Sequence, residues 1–397
     1  MSNQQKQWGA IVVMIALFAM IAFVTNLCTP MATIIKNQGE ISNVLAQIGN
    51  YGNFVAYLLM GIPAGMLISK FGYKKTALIG LVVAVYLIGA FIAGLCMCIL
   101  NCVVNPMLNI LGGGGNKGNQ LIQLGGVFNS TAAVACYIPM GALIADATTA
   151  KIDDATPALM IALAIFVVAF VVICFTKIEE PEQAPVQVEL IKEAMSYRHF
   201  ALGALAIFLY MGIEVGVPNF VNLYLIETGI PAGTVGMLVA VYWFMMLIGR
   251  LVGASIGGKV SSRVMITTVS ITTLVLVLFG MFAPTNITVN FPGVDWGKLE
   301  LIWQEVPLGI FAFLLVGLCT SVMWGGIFNM AVEGLGKYTA IASGIFMTMV
   351  FGCAVMMFIQ ASVADATDYI TSFWVVVFCA AYILFYALIG SRVNKRA

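Results

Sequence analysis

Glu214 is a carboxylate in the middle of an apolar run, 200–226, where almost every other side chain is hydrocarbon or small. A charge at that depth in a bilayer costs at least ~2.5 kcal/mol, so an ionisable group there is a functional candidate by default. Burial favours the neutral, proton-bearing form of a carboxylate. Such a group could carry a proton when neutral and would need a counter-charge when ionised. The alternative is a glutamate held permanently by nearby hydroxyls and amides as structural glue, and proton handling is the favoured reading.

A second constellation is made of amides. Asn101, Asn105 and Asn109 are four residues apart, which puts them on one helix face. Tyr210 and Glu214 repeat that spacing, with Asn222 eight residues on along the same face and Asn219 beside them, and Asn26, Asn50, Asn53, Asn129 and Asn329 add further amides inside apolar runs. Each amide offers both donor and acceptor, which suits a polyhydroxylated solute. Trp243 and Trp324 could stack against the C–H face of such a solute. Asparagines also bond helices to one another in membranes, but so many converging on a few helices favour a binding role.

These groups sit in a chain of 397 residues that is 61% hydrophobic and 9% charged, with mean hydropathy +1.03. A soluble domain normally carries about a quarter charged residues. Runs of ~20 apolar residues are membrane-spanning helices, so the expected fold class is an all-α, multi-pass membrane protein. A net charge of +1 and no long basic tract exclude nucleic acid as a partner. The nine cysteines lie in apolar runs without a CxxC pair or histidine partner, so neither metal nor cofactor is expected. "GASIG" (253–257) lacks the strand–turn–helix context and the base of a hydrolase, and "GGGGNKGN" lacks the GK[ST] ending of a phosphate loop. His199, the single histidine, is read as a solvated linker residue, and the 284–305 stretch as an external loop.

Apolar runs place spans near 9–34, 44–69, 120–146, 157–176, 200–226, 232–256, 264–283, 307–333, 338–363 and 372–391. Residues 76–111 are continuously apolar. Lys and Arg collect on the cytoplasmic side, so the basic segments "SKFGYKK" and "GGKVSSR" belong on one side and need an even number of spans between them. The 76–111 region must then supply two helices, giving twelve spans with both termini cytoplasmic and only Lys36, Lys151 and Lys298 outside. Thirty-six residues leave no room for a turn, so the helix 3–4 region is read as shortened.

The chain also repeats itself. Asn26 and Pro30 return as Glu214 and Pro218, and "GIPAG" (61–65) as "GRLVG" (249–253), both at an offset of 188. "ALIADAT" (142–148) returns as "ASVADAT" (361–367). Two six-helix bundles, 1–176 and 200–397, joined by a polar cytoplasmic linker, 177–199, fit this pattern, which is how many secondary transporters are built.

"GMLISKFGYKK" (65–75) resembles the loop signature of the major facilitator superfamily between helices 2 and 3. It matches at Gly65, Lys70, Gly72, Lys74 and Lys75, while Ser69 stands where the signature has Asp, which removes the acidic member of the gating latch. Within the superfamily, "NP" (105–106), the glycines 112–115, "FNS" (128–130), "LYMGIEVG" (209–216), "MMLIGRLVG" (245–253) and "SVMWGGIF" (321–328) are similar to the fucose/glucose/galactose permease family. The resemblance implies a monomeric secondary transporter in the lipid bilayer of a bacterial inner membrane. It would move a neutral hexose by alternating access, with a proton as coupling ion. In that family carboxylates on helices 1 and 4 are associated with coupling, whereas this chain has Thr29 or Asn26 and Asn101 at those places. Either Glu214 has taken that role or the protein is an uncoupled facilitator. Export of an amphipathic metabolite or drug and a nutrient-sensing receptor are the alternatives. The asparagines weigh against the first, and the short tails against the second.

Overall fold

The computed structural model describes residues 8–26, 42–86, 90–111, 121, 124–135, 156–176, 189–256, 260–295, 300–335 and 339–393. The side chains of Asn26, Asn105 and Asn109 lie outside the described set, as do Thr29 and the segment 112–120. In hydrocarbon every backbone N–H and C=O must be satisfied within the chain, which leaves helices as the solution for these apolar runs. The first half contributes α1 (Trp8–Asn26), α2 (Asn43–Ala46), α3 (Ile48–Tyr86), α4 (Ala90–Leu111), α5 (Leu124–Ala135) and α6 (Thr156–Phe175). After the short α7 (Glu189–Met195), the second half contributes α8 (Arg198–Glu227), α9 (Ala232–Ile256), α10 (Ser262–Phe282), α11 (Leu308–Val332), α12 (Thr339–Met349), α13 (Gly352–Ala366), α14 (Tyr369–Ser372) and α15 (Trp374–Phe385). Seven of the described helical segments are long and apolar enough to cross a membrane, and shorter apolar helices accompany them.

The crowded region resolves at Gly72. Its φ of 79° lies in the left-handed region that suits glycine, and it divides α3 into two helices. The second begins at Tyr73 rather than at 76, so the turn consumes almost no chain, and α4 starts at Ala90. Among the described residues, 73–86 form the helical part of this run after Gly72.

Two other elements differ from the sequence reading. The expected span 338–363 is broken into α12 and α13 around Val350 and Phe351. The break lies beside Gly352, whose missing Cβ admits the backbone carbonyl of Phe208. The expected external loop contains an antiparallel hairpin, β1 (Thr288–Asp295) with β2 (Glu300–Pro307), in register from Thr288 opposite Pro307 to Asp295 opposite Glu300. Its β-branched and aromatic residues suit a strand, and Gly293 lies against Thr234 at the start of α9. The end of the bundle beneath this hairpin is called the hairpin end, and the opposite one the linker end.

Burial ranks the helices. α8 and α11 are each 67% buried along their most apolar stretch, against 28% for α10. α8 and α11 are therefore central, and α10 turns Val275, Phe279 and Phe282 outward as a lipid-facing helix would. At the linker end His199 is buried, contrary to expectation, and its ring Nε2–H donates to the Glu333 carbonyl at 2.8 Å. The Tyr386 hydroxyl donates to the His199 carbonyl at 3.3 Å, so this residue ties α8 to the ends of α11 and α15. The Lys74 ammonium donates to the carbonyls of Thr176 at 2.7 Å and Cys174 at 3.2 Å. It thus satisfies orphan carbonyls at the C-terminus of α6, within its own half.

Candidate functional site

The site grows out of one missing hydrogen. Pro218 lies inside α8, and its ring nitrogen cannot donate to the carbonyl four residues back, that of Glu214. The Tyr242 hydroxyl from α9 fills the gap, donating to that carbonyl at 3.0 Å, and contacts Thr320 Oγ1 of α11 at 3.2 Å. Three central helices meet here. The Tyr210 hydroxyl, one turn before Glu214, reaches the Thr320 carbonyl at 3.4 Å.

The counter-charge is Arg250. α9 packs against α11 through the small-residue pair Gly249 and Gly253, whose missing Cβ atoms admit Leu318, Ser321 and Val322. Arg250, next in the chain, reaches the other half. Its Nη1 donates to Ser130 Oγ at 2.9 Å, to Asn129 Oδ1 at 3.5 Å and to the Gly126 carbonyl of α5. A Cβ at Gly126 would stand 3.2 Å from that nitrogen, so glycine makes room for the guanidinium. Nη2 lies 3.9 Å from Glu214 Oε1, with side-chain exposures of 12% and 15% for Arg250 and Glu214. That separation exceeds a hydrogen bond, so the pair is Coulombic, while the directed bonds of Arg250 go to the first half. Asn129 is itself held to α1, its Nδ2 donating to the Phe18 carbonyl at 2.9 Å.

Two expected residues near this network have no hydrogen-bond partner among the described residues. Both amide atoms of Asn219 are unpaired although the residue is 0% exposed, and so is the indole N–H of Trp243, whose ring packs edge-on against Tyr242. Trp324 lies 6.2 Å from the Tyr210 ring. Asn222 is buried on the same helix. Asn101 stands apart on α4, donating to the Tyr57 hydroxyl at 2.9 Å, and Asn50 donates to Gln47 Oε1 at 2.5 Å at the start of α3. Asn329 is exposed and does not join either group, because its position on α11 has already turned outward near the linker end. Among the described residues no group of His, Cys, Asp and Glu could hold a metal ion.

Of the loop residues, Gly72 provides the break in α3 and Lys74 the cap on α6. Lys70 lies 5.4 Å from the ring of Phe71, Lys75 is exposed, and Gly65 has open space where a Cβ would be.

No family model matches the chain. Curated relatives align along its whole length: a glucose/galactose transporter of Brucella abortus is 28% identical over 98% of this chain and 96% of its own. An L-fucose-proton symporter of Escherichia coli is 20% identical over 95% and 92%. Solved structures agree on the fold. The Escherichia coli fucose:proton symporter superposes with a TM-score of 0.73 at 18% identity, covering 98% of this chain and 100% of its own. A second structure of that transporter, in the outward conformation, gives 0.71. The chain has the major facilitator fold, and its full-length similarity is to glucose/galactose and fucose transporters.

Within this fold Arg250 spans the seam between bundles, joining α9 of one to α5 of the other. Spacing alone does not single it out, because "GRLVG" stands out for its glycines. The available signal is charge: a cation inside one apolar span and a carboxylate inside the preceding one must neutralise each other. Ser130 and Tyr242, both 0% exposed, are the other members that helix periodicity leaves unmarked.

Proposed function

We propose that this protein is a secondary transporter that carries a neutral hexose-type sugar together with a proton by alternating access. It works as a monomer in a bacterial inner membrane, with both termini and the linker 177–199 in the cytoplasm and bundles 1–176 and 200–397 rocking against each other. The reading draws its substrate class from the names of the full-length relatives. Its mechanism rests on one observation above the rest: Glu214 shares Arg250 with hydrogen-bond acceptors of the opposite bundle.

That sharing links protonation to shape. With Glu214 ionised, Arg250 is attracted to its own bundle and tethered to the other. With Glu214 neutral, the attraction lapses, and a buried guanidinium keeps only carbonyl, amide and hydroxyl partners. Sugar hydroxyls would then take up unpaired groups such as the Asn219 amide and the Trp243 N–H, which currently carry the cost of burial without a bond. Trp324, Tyr210, Asn129 and Asn222 complete the proposed pocket around them. Asn26, Asn50, Asn101, Asn105 and Asn329 are outlying members. Gly65, Lys70, Gly72, Lys74 and Lys75 remain the proposed gating loop, with Lys74 bracing it to α6.

Uptake of radiolabelled glucose, galactose and fucose into proteoliposomes, with and without an imposed pH gradient, tests the proposal. A Glu214→Gln protein should lose gradient-driven accumulation by at least about tenfold yet retain sugar counterflow. Accumulation that survives Glu214→Gln would refute the coupling role. The uncoupled facilitator is the second reading, favoured by Asn101 standing where the family pattern has a carboxylate. It expects equilibration without accumulation in the native protein.

A further inference from the structure

We infer that Asp365 is a latch that holds the two bundles shut at the hairpin end, and that the path for solute opens there when it lets go. The proposal rests on the transport reading for what passes, and on the following contacts for the latch itself.

The first N–H groups of a helix have no partner within it. At the start of α2 the Leu45 N–H is accepted locally by Ser42 Oγ at 3.3 Å. The two before it are satisfied from the other bundle: Asn43 N–H donates to Asp365 Oδ1 at 2.8 Å and Val44 N–H to Oδ2 at 3.1 Å. α2 therefore begins on a carboxylate more than three hundred residues away in the chain, at the last turn of α13. The Tyr369 hydroxyl adds a third inter-bundle bond, to Asn43 Oδ1 at 2.5 Å. The seam continues toward the linker end: the rings of Tyr51 and Phe358 meet edge-on at 5.8 Å, and Gly61 lies against Thr348.

Behind the latch, Gln47 and Tyr51 lie about one and two turns on from Asn43, on the face that meets Phe358. Gln47 is 0% exposed, and Gln47 Nε2 and the Tyr51 hydroxyl have no hydrogen-bond partner among the described residues. An unpaired buried amide favours any state in which water or a hydroxylated solute can reach it. The shut seam thus joins charge-assisted bonds at its rim to unpaired polar groups behind them, which is the arrangement of a gate rather than of a permanent interface. Asp368 is the internal contrast. It accepts from Thr371 Oγ1 at 2.6 Å and Thr371 N–H at 2.9 Å, so it caps α14 inside its own bundle.

The test reads seam opening directly. A cysteine introduced by Gln47→Cys is placed in the native background and in Asp365→Ala, Asp365→Asn and Asp368→Ala backgrounds. Its labelling rate with a membrane-impermeant maleimide is measured against the parent lacking that cysteine. Asp365→Ala should accelerate labelling about tenfold, equivalent to ~1.4 kcal/mol. Asp365→Asn, which keeps the shape and one acceptor oxygen, should give roughly threefold, about half that free energy. Asp368→Ala should give no change. Equal rates in native and Asp365 variants, or equal acceleration by Asp368→Ala, would overturn the latch. Should the alanine variant fail to fold, the asparagine variant carries the same test. Labelling needs neither sugar nor proton, so absent sugar uptake with a working latch refutes the transport reading alone. Normal uptake with an unresponsive seam refutes the latch alone.

Discussion

Glu214 and Arg250 lie in a low-dielectric seam, so removing one charge leaves the other without compensation. Breaking a buried pair from one side costs ~3–5 kcal/mol. Arg250→Ala should therefore lower the thermal midpoint of the purified protein and abolish sugar accumulation. Adding Glu214→Gln to it should recover much of the stability but not the accumulation. Arg250→Lys keeps the charge, but a single ammonium cannot present a fork to Ser130, Asn129 and Glu214 together, so transport should still fall. Asn219 makes a different prediction. Its amide is buried with both ends unpaired, so Asn219→Leu should not destabilise the empty protein, but should raise the KM for sugar about tenfold, or ~1.4 kcal/mol. Glu214 was readable from sequence because a lone carboxylate in an apolar run is conspicuous. Arg250 was not, because its role depends on which helix its neighbour Gly249 packs against, a contact that involves Ser321 and Leu318. The asparagines on α4 and the outward turn of Asn329 show the limit of spacing arguments: periodicity gives a face, but only packing says what the face meets.

At the scale of elements, the apolar runs dictated the helices and the basic loops their parity, since each follows from bilayer thickness and charge. The hairpin was hidden because an extramembrane stretch between two spans has no bilayer to impose a pattern. Its register depends on tertiary contacts such as that of Gly293 with Thr234. The break between α12 and α13 was hidden likewise, since it follows from Gly352 meeting α8 rather than from a helix-breaking proline. The crossing of α9 and α11 carries a prediction of its own. A Cβ at Gly249 would stand 2.6 Å from the Leu318 carbonyl, a backbone atom that cannot move alone. Gly249→Ala should force the helices apart and destabilise the protein by ~1–3 kcal/mol, seen as a lower thermal midpoint. It should also weaken coupling, because Arg250 would move with its helix. Asp368 behaves in the opposite way. The Thr371 hydroxyl, then the Thr371 N–H, hold its carboxyl below the usual range for an exposed carboxylate. A depressed value in the folded protein means the cap is intact above the unfolded value and lost only as pH falls through the folded one. The α14 cap should therefore persist across any pH at which transport is assayed.

For the whole molecule, the hydrogen bonds between bundles among the described residues fall in two groups: Asp365, Asn43 and Tyr369 at the hairpin end, and Arg250 with Gly126, Asn129 and Ser130 between α5 and α9. Alternating access requires that the first set break while solute enters from that side, so covalently closing it must stop the cycle. A cysteine pair from Asn43→Cys and Tyr369→Cys, bridged by a bifunctional maleimide that spans the room of the tyrosine ring, should abolish sugar exchange, which the unbridged pair should retain. A bridge from Phe220→Cys to Tyr369→Cys is the matched control, because those rings lie 6.5 Å apart within the second bundle. A rigid-body rocking motion leaves that distance unchanged, so the control bridge should leave exchange near the unbridged rate. If both bridges stopped transport alike, the moving boundary would not lie between α2 and α14. If neither did, the hairpin end would not open during the cycle, and solute would have to pass by a route other than the seam behind Asp365, where Gln47 Nε2 and the Tyr51 hydroxyl are unpaired.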